Sequence, residues 1–170
     1  YFATPYVRAS VEKKLAALMG IDARRFGQFF EVQDLAPGVW NTIDGFEVRP
    51  LYSPHPVETT VLFFRAFSGS GYKTYAHLAD LPSREVLERM TSEDPATDGI
   101  TAAARDRVLA EILAPVDLKK VDAGSGLIHG NAEDFAQDAS AKVILSHRSA
   151  PLTDAQKEIG SSAAFGLIDV

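Results

Sequence analysis

The chain has 170 residues, 46% of them hydrophobic and 24% charged, with no cysteine and a formal net charge of -6 at pH 7. This length and composition fit one globular domain and exclude a wholly disordered, collagenous or coiled-coil chain. The lack of cysteine excludes disulfides, thiolate metal ligands and thiol nucleophiles, and the acidic balance argues against broad nucleic-acid binding, although a local basic groove is allowed.

The first half of the chain predicts a helix followed by a β-meander. Thr4 and Pro5 are typical of a helix start, and Gly20 is typical of its end. Alternating and β-branched segments predict the strands that follow. These strands are expected at residues 31–35, 39–43, 46–52, 59–67 and 72–77, with the first two on either side of a Pro37-Gly38 turn.

The second half alternates helices with short strands. Helices are predicted over 82–90 and 101–113, and strands over 119–122 and 142–145, the two strands separated by a glycine-rich turn at 124–126. A sheet formed early in the chain, followed by helices alternating with strands, indicates an α/β (or α+β) fold. No run of about 18 apolar residues occurs, so we expect no membrane-spanning helix.

From its two ends, we expect this chain to be part of a longer protein. It begins at Tyr1 without a charged leader and ends on the apolar segment 165–170. We expect residues 1–150 to form the main domain, and residues 151–170 to be a C-terminal extension or the start of a linker to a further module.

Four histidines, at positions 55, 77, 129 and 147, fall at strand ends or in Gly/Pro-marked loops. His55 lies between Pro54 and Pro56, Asp80 follows a predicted strand, and His147 follows the strand 142–145. Strand ends are where α/β proteins build their sites. Each residue also has a structural interpretation: a turn histidine for His55, a helix N-cap for Asp80, and a loop-bonding histidine for His147.

Together, two imidazoles and a carboxylate at strand exits suit a divalent metal such as zinc, manganese or iron. A pair of such ions can activate water and stabilise a displacement at phosphorus. Three ligands cannot fill two metal shells, so two to four further donors would have to come from elsewhere.

Four segments resemble motifs of the metallo-β-lactamase superfamily, in its ribonuclease Z-like, phosphodiesterase-like branch. Residues 48–65 resemble the motif in which a strand delivers a metal-binding histidine, here His55. Residues 75–80 resemble the motif whose aspartate bridges two metals, here Asp80. Residues 142–149 resemble the final motif, with His147 as a ligand, and residues 127–132 resemble the stretch whose histidine, here His129, assists acid–base catalysis.

The resemblance implies the C-terminal half of an αββα sandwich. It implies a site for two divalent ions (Zn, or Fe or Mn), with His55, Asp80 and His147 as metal ligands and His129 and Asp80 as catalytic residues. His77 is a possible extra ligand, because it is not part of the usual pattern.

Two departures from the family pattern affect these expectations. The leading His-x-His-x-Asp-His signature, which would supply up to four metal donors, is absent. The glutamate expected after the catalytic histidine is replaced by Gly130, so we expect His129 to lack an orienting carboxylate.

Three functional hypotheses follow. The first is a cytoplasmic metal-dependent hydrolase of a phosphodiester or related ester, its site completed by residues outside this chain, so that the isolated chain has little or no catalysis. The second is a di-iron protein that binds or senses oxygen. The third is a non-catalytic half-domain that forms a homo-oligomer or pairs with the missing N-terminal half.

Overall fold

The order of elements follows the predicted alternation of helices and strands. The structure is a computed structural model that describes residues 1–124, 128–148 and 150–162. Parts of the glycine-rich turn at 124–126, the motif ends Leu127 and Ser149, and the apolar segment 165–170 therefore lie outside the described residues. The strands are β1 (Phe2–Ala3), β2 (Gln33–Asp34), β3 (Asn41–Ile43), β4 (Phe46–Tyr52), β5 (Thr60–Phe67), β6 (Tyr72–His77), β7 (Leu118–Asp122) and β8 (Lys142–Ser146). The α-helices are α1 (Pro5–Met19), α2 (Arg84–Arg89), α3 (Ala102–Ile112) and α4 (Asp154–Ile159), and 3-10 turns cover Ala23–Gln28 and Ala132–Phe135.

Strands β3 to β8 form one six-stranded sheet in sequence order. The first four strands pair antiparallel, whereas β7 pairs parallel with β6, and β8 pairs parallel with β7. This mixed sheet with its helices confirms the predicted α/β class. Because β4 and β6 both run antiparallel to β5, they run parallel to each other. The carboxyl ends of β4, β6, β7 and β8 therefore lie at one edge of the sheet.

The strand predicted over 31–35 does not join the meander through the Pro37-Gly38 turn. Strand β2 pairs instead with β1 in a separate two-stranded parallel sheet. The Asn41 side chain explains the difference, because it accepts from the Ala36 amide at 2.8 Å and donates to the Ala36 and Val39 carbonyls at 3.0 and 2.9 Å. These side-chain hydrogen bonds satisfy the backbone groups of the turn locally. In a hairpin, the same backbone groups would instead need partners on the neighbouring strand.

The hydrophobic core lies on β5 to β8 and is built from side chains with almost no solvent exposure. Val61, Leu78 and Leu145 are representative, at 1%, 0% and 0% exposure. Phe135, from the 3-10 turn that precedes β8, extends this core. The result is a rigid platform beneath the strand ends that carry the candidate site residues.

Residues 151–162 pack on the same core. Leu152 and Ile159 contact the core cluster, and Ser161 exchanges backbone hydrogen bonds with Val143 and Leu145 at 3.1 and 2.8 Å. Helix α4 begins with a capping box formed by Thr153 and Gln156. Whether residues 151–170 lead into a further module stays a prediction. None of the helices within the described ranges has the length and hydropathy needed to cross a membrane.

Candidate metal centre

The candidate residues come from the strand ends that the sheet brings to one edge. Asp80 lies three residues beyond the end of β6, and His147 follows β8 directly. Asp122 is the last residue of β7, between them in the sheet, and His129 lies beyond β7 in the chain. The parallel order of these strands is therefore what assembles the site.

Two carboxylates and two imidazoles converge there. Asp80, Asp122, His129 and His147 each offer one possible ligand atom, and these four atoms all lie within 4.8 Å of one another. His147 Nδ1 lies 3.3 Å from Asp80 Oδ1 and 3.3 Å from Asp122 Oδ1. His129 Nδ1 lies 3.0 Å from Asp122 Oδ2. The ring centroids of the two histidines are 4.4 Å apart, with the planes at 80°.

Unusual backbone conformations place two of these side chains. Ala79 has φ +54° and His147 has φ +58°, both in the left-handed region that non-glycine residues rarely adopt. The first turns the chain immediately before Asp80, and the second turns it immediately after β8. Such conformations persist where the surrounding structure holds them, and they concentrate at functional sites.

His55 lies beside the cluster but is not one of the four residues whose possible ligand atoms lie within 4.8 Å of one another. Its ring centroid is 5.6 Å from that of His129. Its Nδ1 lies 3.2 Å from the Val57 amide nitrogen and 3.3 Å from the Val57 carbonyl oxygen, and its Nε2 is buried with no hydrogen-bond partner among the described residues. Metal-binding histidines commonly donate one ring N–H to a carbonyl and present the other nitrogen to the ion. The tautomer that donates Nδ1–H to the Val57 carbonyl leaves the buried Nε2 for that role.

The two carboxylates have different surroundings. The Asp122 side chain is 1% exposed, and it also accepts the Leu81 and Gly124 backbone amides at 3.3 and 2.9 Å. The Asp80 side chain is 44% exposed. Two ionised carboxylates in one site repel each other, so a bound cation would relieve that repulsion. The donor set of this cluster therefore fits a divalent metal.

His77 is not brought into the cluster. Its Nδ1 lies 2.9 Å from the Tyr75 hydroxyl oxygen. Burial lowers the pKa of His77, the Lys120 charge lowers it further, and the Asp80 charge opposes both. Tyr75 is thus the partner of one His77 ring nitrogen, and the role of His77 as an extra ligand stays a prediction.

Asp122 belongs to this cluster, although the sequence predicts it only as the end of the strand 119–122. A polar residue at a strand exit is the signal that could have identified it. The expectation that His129 lacks an orienting carboxylate, because Gly130 replaces a glutamate, is wrong. Asp122 Oδ2 lies 3.0 Å from the His129 ring.

Comparison with protein-family models finds no matching family, and comparison with curated proteins finds no match. Among solved structures, the metallo-β-lactamase-fold protein YhfI from Bacillus subtilis is 18% identical and covers 78% of this chain and 52% of its own, with a TM-score of 0.48. A putative Zn-dependent hydrolase of the metallo-β-lactamase superfamily from Thermotoga maritima is 15% identical, over 74% of this chain and 54% of its own, with a TM-score of 0.45. Human tRNase Z, short form, is 12% identical, over 96% of this chain and 63% of its own, with a TM-score of 0.47.

The chain spans about half the length of the first two of these solved structures and 63% of the third.

Proposed function

We propose that the chain supplies part of a divalent-metal site in a hydrolase of phosphodiesters or related esters. The observation that carries this proposal is the convergence of Asp80, Asp122, His129 and His147 at one edge of the sheet, with donor atoms within 4.8 Å of one another. Mixed carboxylate and imidazole donors suit zinc, manganese or iron.

The proposed metal ligands are Asp80, His147 and His55. Asp80 is half exposed, which leaves its carboxylate oxygens open to an ion that enters from solvent. His55 adds the buried, unpaired Nε2 described above. Two ions are proposed for the complete site, with the remaining donors supplied from outside these residues. A divalent cation supplies Lewis acidity toward an ester oxygen and toward water.

His129 is the proposed proton donor to the leaving group. Its ring is held at Nδ1 by Asp122, and its side chain is 25% exposed. The second ring nitrogen, Nε2, is therefore the atom that takes up a proton from the attacking water and passes it to the leaving group. A positioned histidine of this kind contributes about 10²- to 10⁴-fold to hydrolysis.

The test measures phosphodiester hydrolysis by the protein that contains these residues. The protein is first loaded in turn with zinc, manganese or iron(II). The substrate is bis(p-nitrophenyl) phosphate, and Asp80→Asn is compared with Asp94→Asn. Asp94 is a matched control because its carboxylate accepts the Ala96 amide in the exposed 92–99 loop. We expect Asp80→Asn to reduce metal-dependent hydrolysis to background while Asp94→Asn leaves it unchanged. Undiminished hydrolysis by Asp80→Asn would overturn the proposal.

A further inference from the structure

We infer that Asp122 is a positioning residue that sets the tautomer of His129, rather than a metal ligand. The inference rests on the proposed function, because it assigns the His129 ring its part in that site. The buried carboxylate would hold Nδ1 of His129 as a donor. Nε2 of that ring is then free for proton exchange.

The carboxylate of Asp122 is buried and already has three hydrogen-bond partners. A carboxylate has about four lone-pair sites on its two oxygens. Asp122 Oδ1 accepts the Gly124 amide at 2.9 Å. Asp122 Oδ2 accepts the Leu81 amide at 3.3 Å and lies 3.0 Å from His129 Nδ1. This buried, bonded carboxylate has little capacity left for an ion, in contrast to the half-exposed Asp80.

The chain at Gly130 has no room for an orienting side chain. A Cβ at position 130 would lie 2.4 Å from the Asp122 backbone oxygen and 3.2 Å from that of Leu81. A glutamate there would collide with the end of β7. The close approach that excludes a side chain at position 130 also brings His129 against the Asp122 carboxylate. The strand end thus supplies the carboxylate that position 130 cannot carry.

The facing atom determines which ring nitrogen of His129 carries the proton. An ionised carboxylate only accepts hydrogen bonds, so a neutral ring that faces it presents N–H. In His129 the facing atom is Nδ1. The hydrogen bond made by one ring nitrogen determines what the other can do. Replacing such an aspartate by asparagine can keep the geometry and still produce the wrong tautomer, as in serine proteases.

The test is imidazole ¹⁵N NMR on the metal-free chain, at a pH well above the ordinary imidazole pKa of about 6.5. The His129 resonances are assigned with His129→Gln. We expect the wild-type His129 ring to be protonated at Nδ1. In Asp122→Asn the amide oxygen should keep the place of Oδ1, because the Gly124 amide lies 2.9 Å from Oδ1 and the Leu81 amide lies 3.3 Å from Oδ2. The NH₂ group then faces His129 Nδ1, so this ring should move its proton to Nε2. The matched control is Asp134→Asn, since Asp134 accepts the Arg84 amide at 2.9 Å.

A wild-type His129 protonated at Nε2 would overturn the inference, and this result does not depend on any variant folding. An Asp122→Asn chain in which His129 keeps its Nδ1 proton would also overturn it. Zinc binding provides a second readout. We expect Asp122→Asn to bind as much zinc as the wild type at saturating metal, because Asp122 is not a ligand.

Loss of binding by Asp122→Asn even at saturating zinc would identify Asp122 as a ligand and overturn the inference. Failure of the wild-type chain to bind zinc, manganese or iron(II) would instead count against the proposed function. The tautomer result would stand in that case, so the two failures are distinguishable.

Discussion

The Ser53 hydroxyl donates a hydrogen bond of 2.8 Å to the backbone carbonyl oxygen of Asp80. Ser53 directly follows β4 and is 9% exposed, and Asp80 lies in the loop after β6. His55 is two residues beyond Ser53 in the chain. This single bond therefore ties the loop that carries His55 to the loop that carries Asp80, across the intervening strand β5.

Removing this hydrogen bond should lower both the stability of the protein and its affinity for zinc. We expect Ser53→Ala to lower the free energy of unfolding by about 1 kcal/mol, the usual net contribution of one hydrogen bond. We also expect it to weaken zinc binding, because His55 and Asp80 lose their fixed separation. Ser68→Ala is the control, since the Ser68 hydroxyl donates a hydrogen bond of 3.2 Å to the Gly71 carbonyl oxygen in an exposed turn. Calorimetric zinc affinity for Ser53→Ala equal to that of the wild type would contradict this coupling.

The lack of space around Gly130 predicts that a larger residue there lowers the free energy of unfolding. Gly130→Ala would place a Cβ 2.4 Å from the Asp122 backbone oxygen, so the chain or the end of β7 must move. We expect a loss of about 1–3 kcal/mol, typical of overpacking, from urea denaturation. Gly27→Ala is the matched control, because a Cβ there has no atom within 4 Å among the described neighbours. Equal stabilities of the two variants would show that the close approach at Gly130 is absent.

The buried ion pair of Lys119 and Asp138 predicts that the two side chains depend strongly on each other for their effect on the free energy of unfolding. Their side chains are 0% and 1% exposed, and the Lys119 ammonium group also donates to the Ala114 carbonyl at 3.0 Å. Burial lowers the pKa of Lys119, and the hydrogen bond to Asp138 opposes that shift. We expect Asp138→Asn to cost about 3–5 kcal/mol, because it leaves a charge buried without its partner.

A double-mutant cycle checks the origin of this cost. Adding Lys119→Met to Asp138→Asn removes the unpaired charge, so the double variant should recover part of the lost free energy of unfolding. A double variant no more stable than Asp138→Asn alone would contradict the assignment.

His77 predicts a pH dependence of stability. Its folded-state pKa lies below the ordinary value of 6.5, because burial and the Lys120 charge outweigh the Asp80 charge. The unfolded chain then binds the proton more readily, so stability is full above pH 6.5 and falls as the pH drops through the folded-state pKa. We expect His77→Gln to flatten this part of the melting-temperature profile between about pH 7 and pH 5. An unchanged profile would show that other groups control it.

Much of the scaffold could be predicted from local signals. Thr4, Pro5 and Gly20 mark the ends of α1, and the structure places the helix at Pro5–Met19. The meander strands were predicted because alternation and turn residues are local properties. The pairing of β2 with β1 was not, because two-residue strands carry no periodicity and their partner is 31 residues away. Helix α4 was missed although Thr153 and Gln156 form a capping box that the sequence displays.

The site was predicted only in part, for a physical reason. Asp80 and His147 follow strands, so their place at a sheet edge could be inferred from chain order. Asp122 meets His129 and His147 only because β7 lies between β6 and β8, and that order cannot be read from spacing. The consequence of Gly130 was misjudged similarly, since the carboxylate that faces His129 belongs to another element.

The central claim is that this edge of the sheet binds a divalent metal through Asp80. The most direct measurement is equilibrium dialysis of the purified 170-residue chain against zinc, with bound metal measured by elemental mass spectrometry, for the wild type, Asp80→Asn and Asp94→Asn. The account predicts saturable binding by the wild type and by Asp94→Asn, and loss of that binding in Asp80→Asn. Absence of binding in the wild type, or binding that Asp80→Asn retains in full, would contradict it.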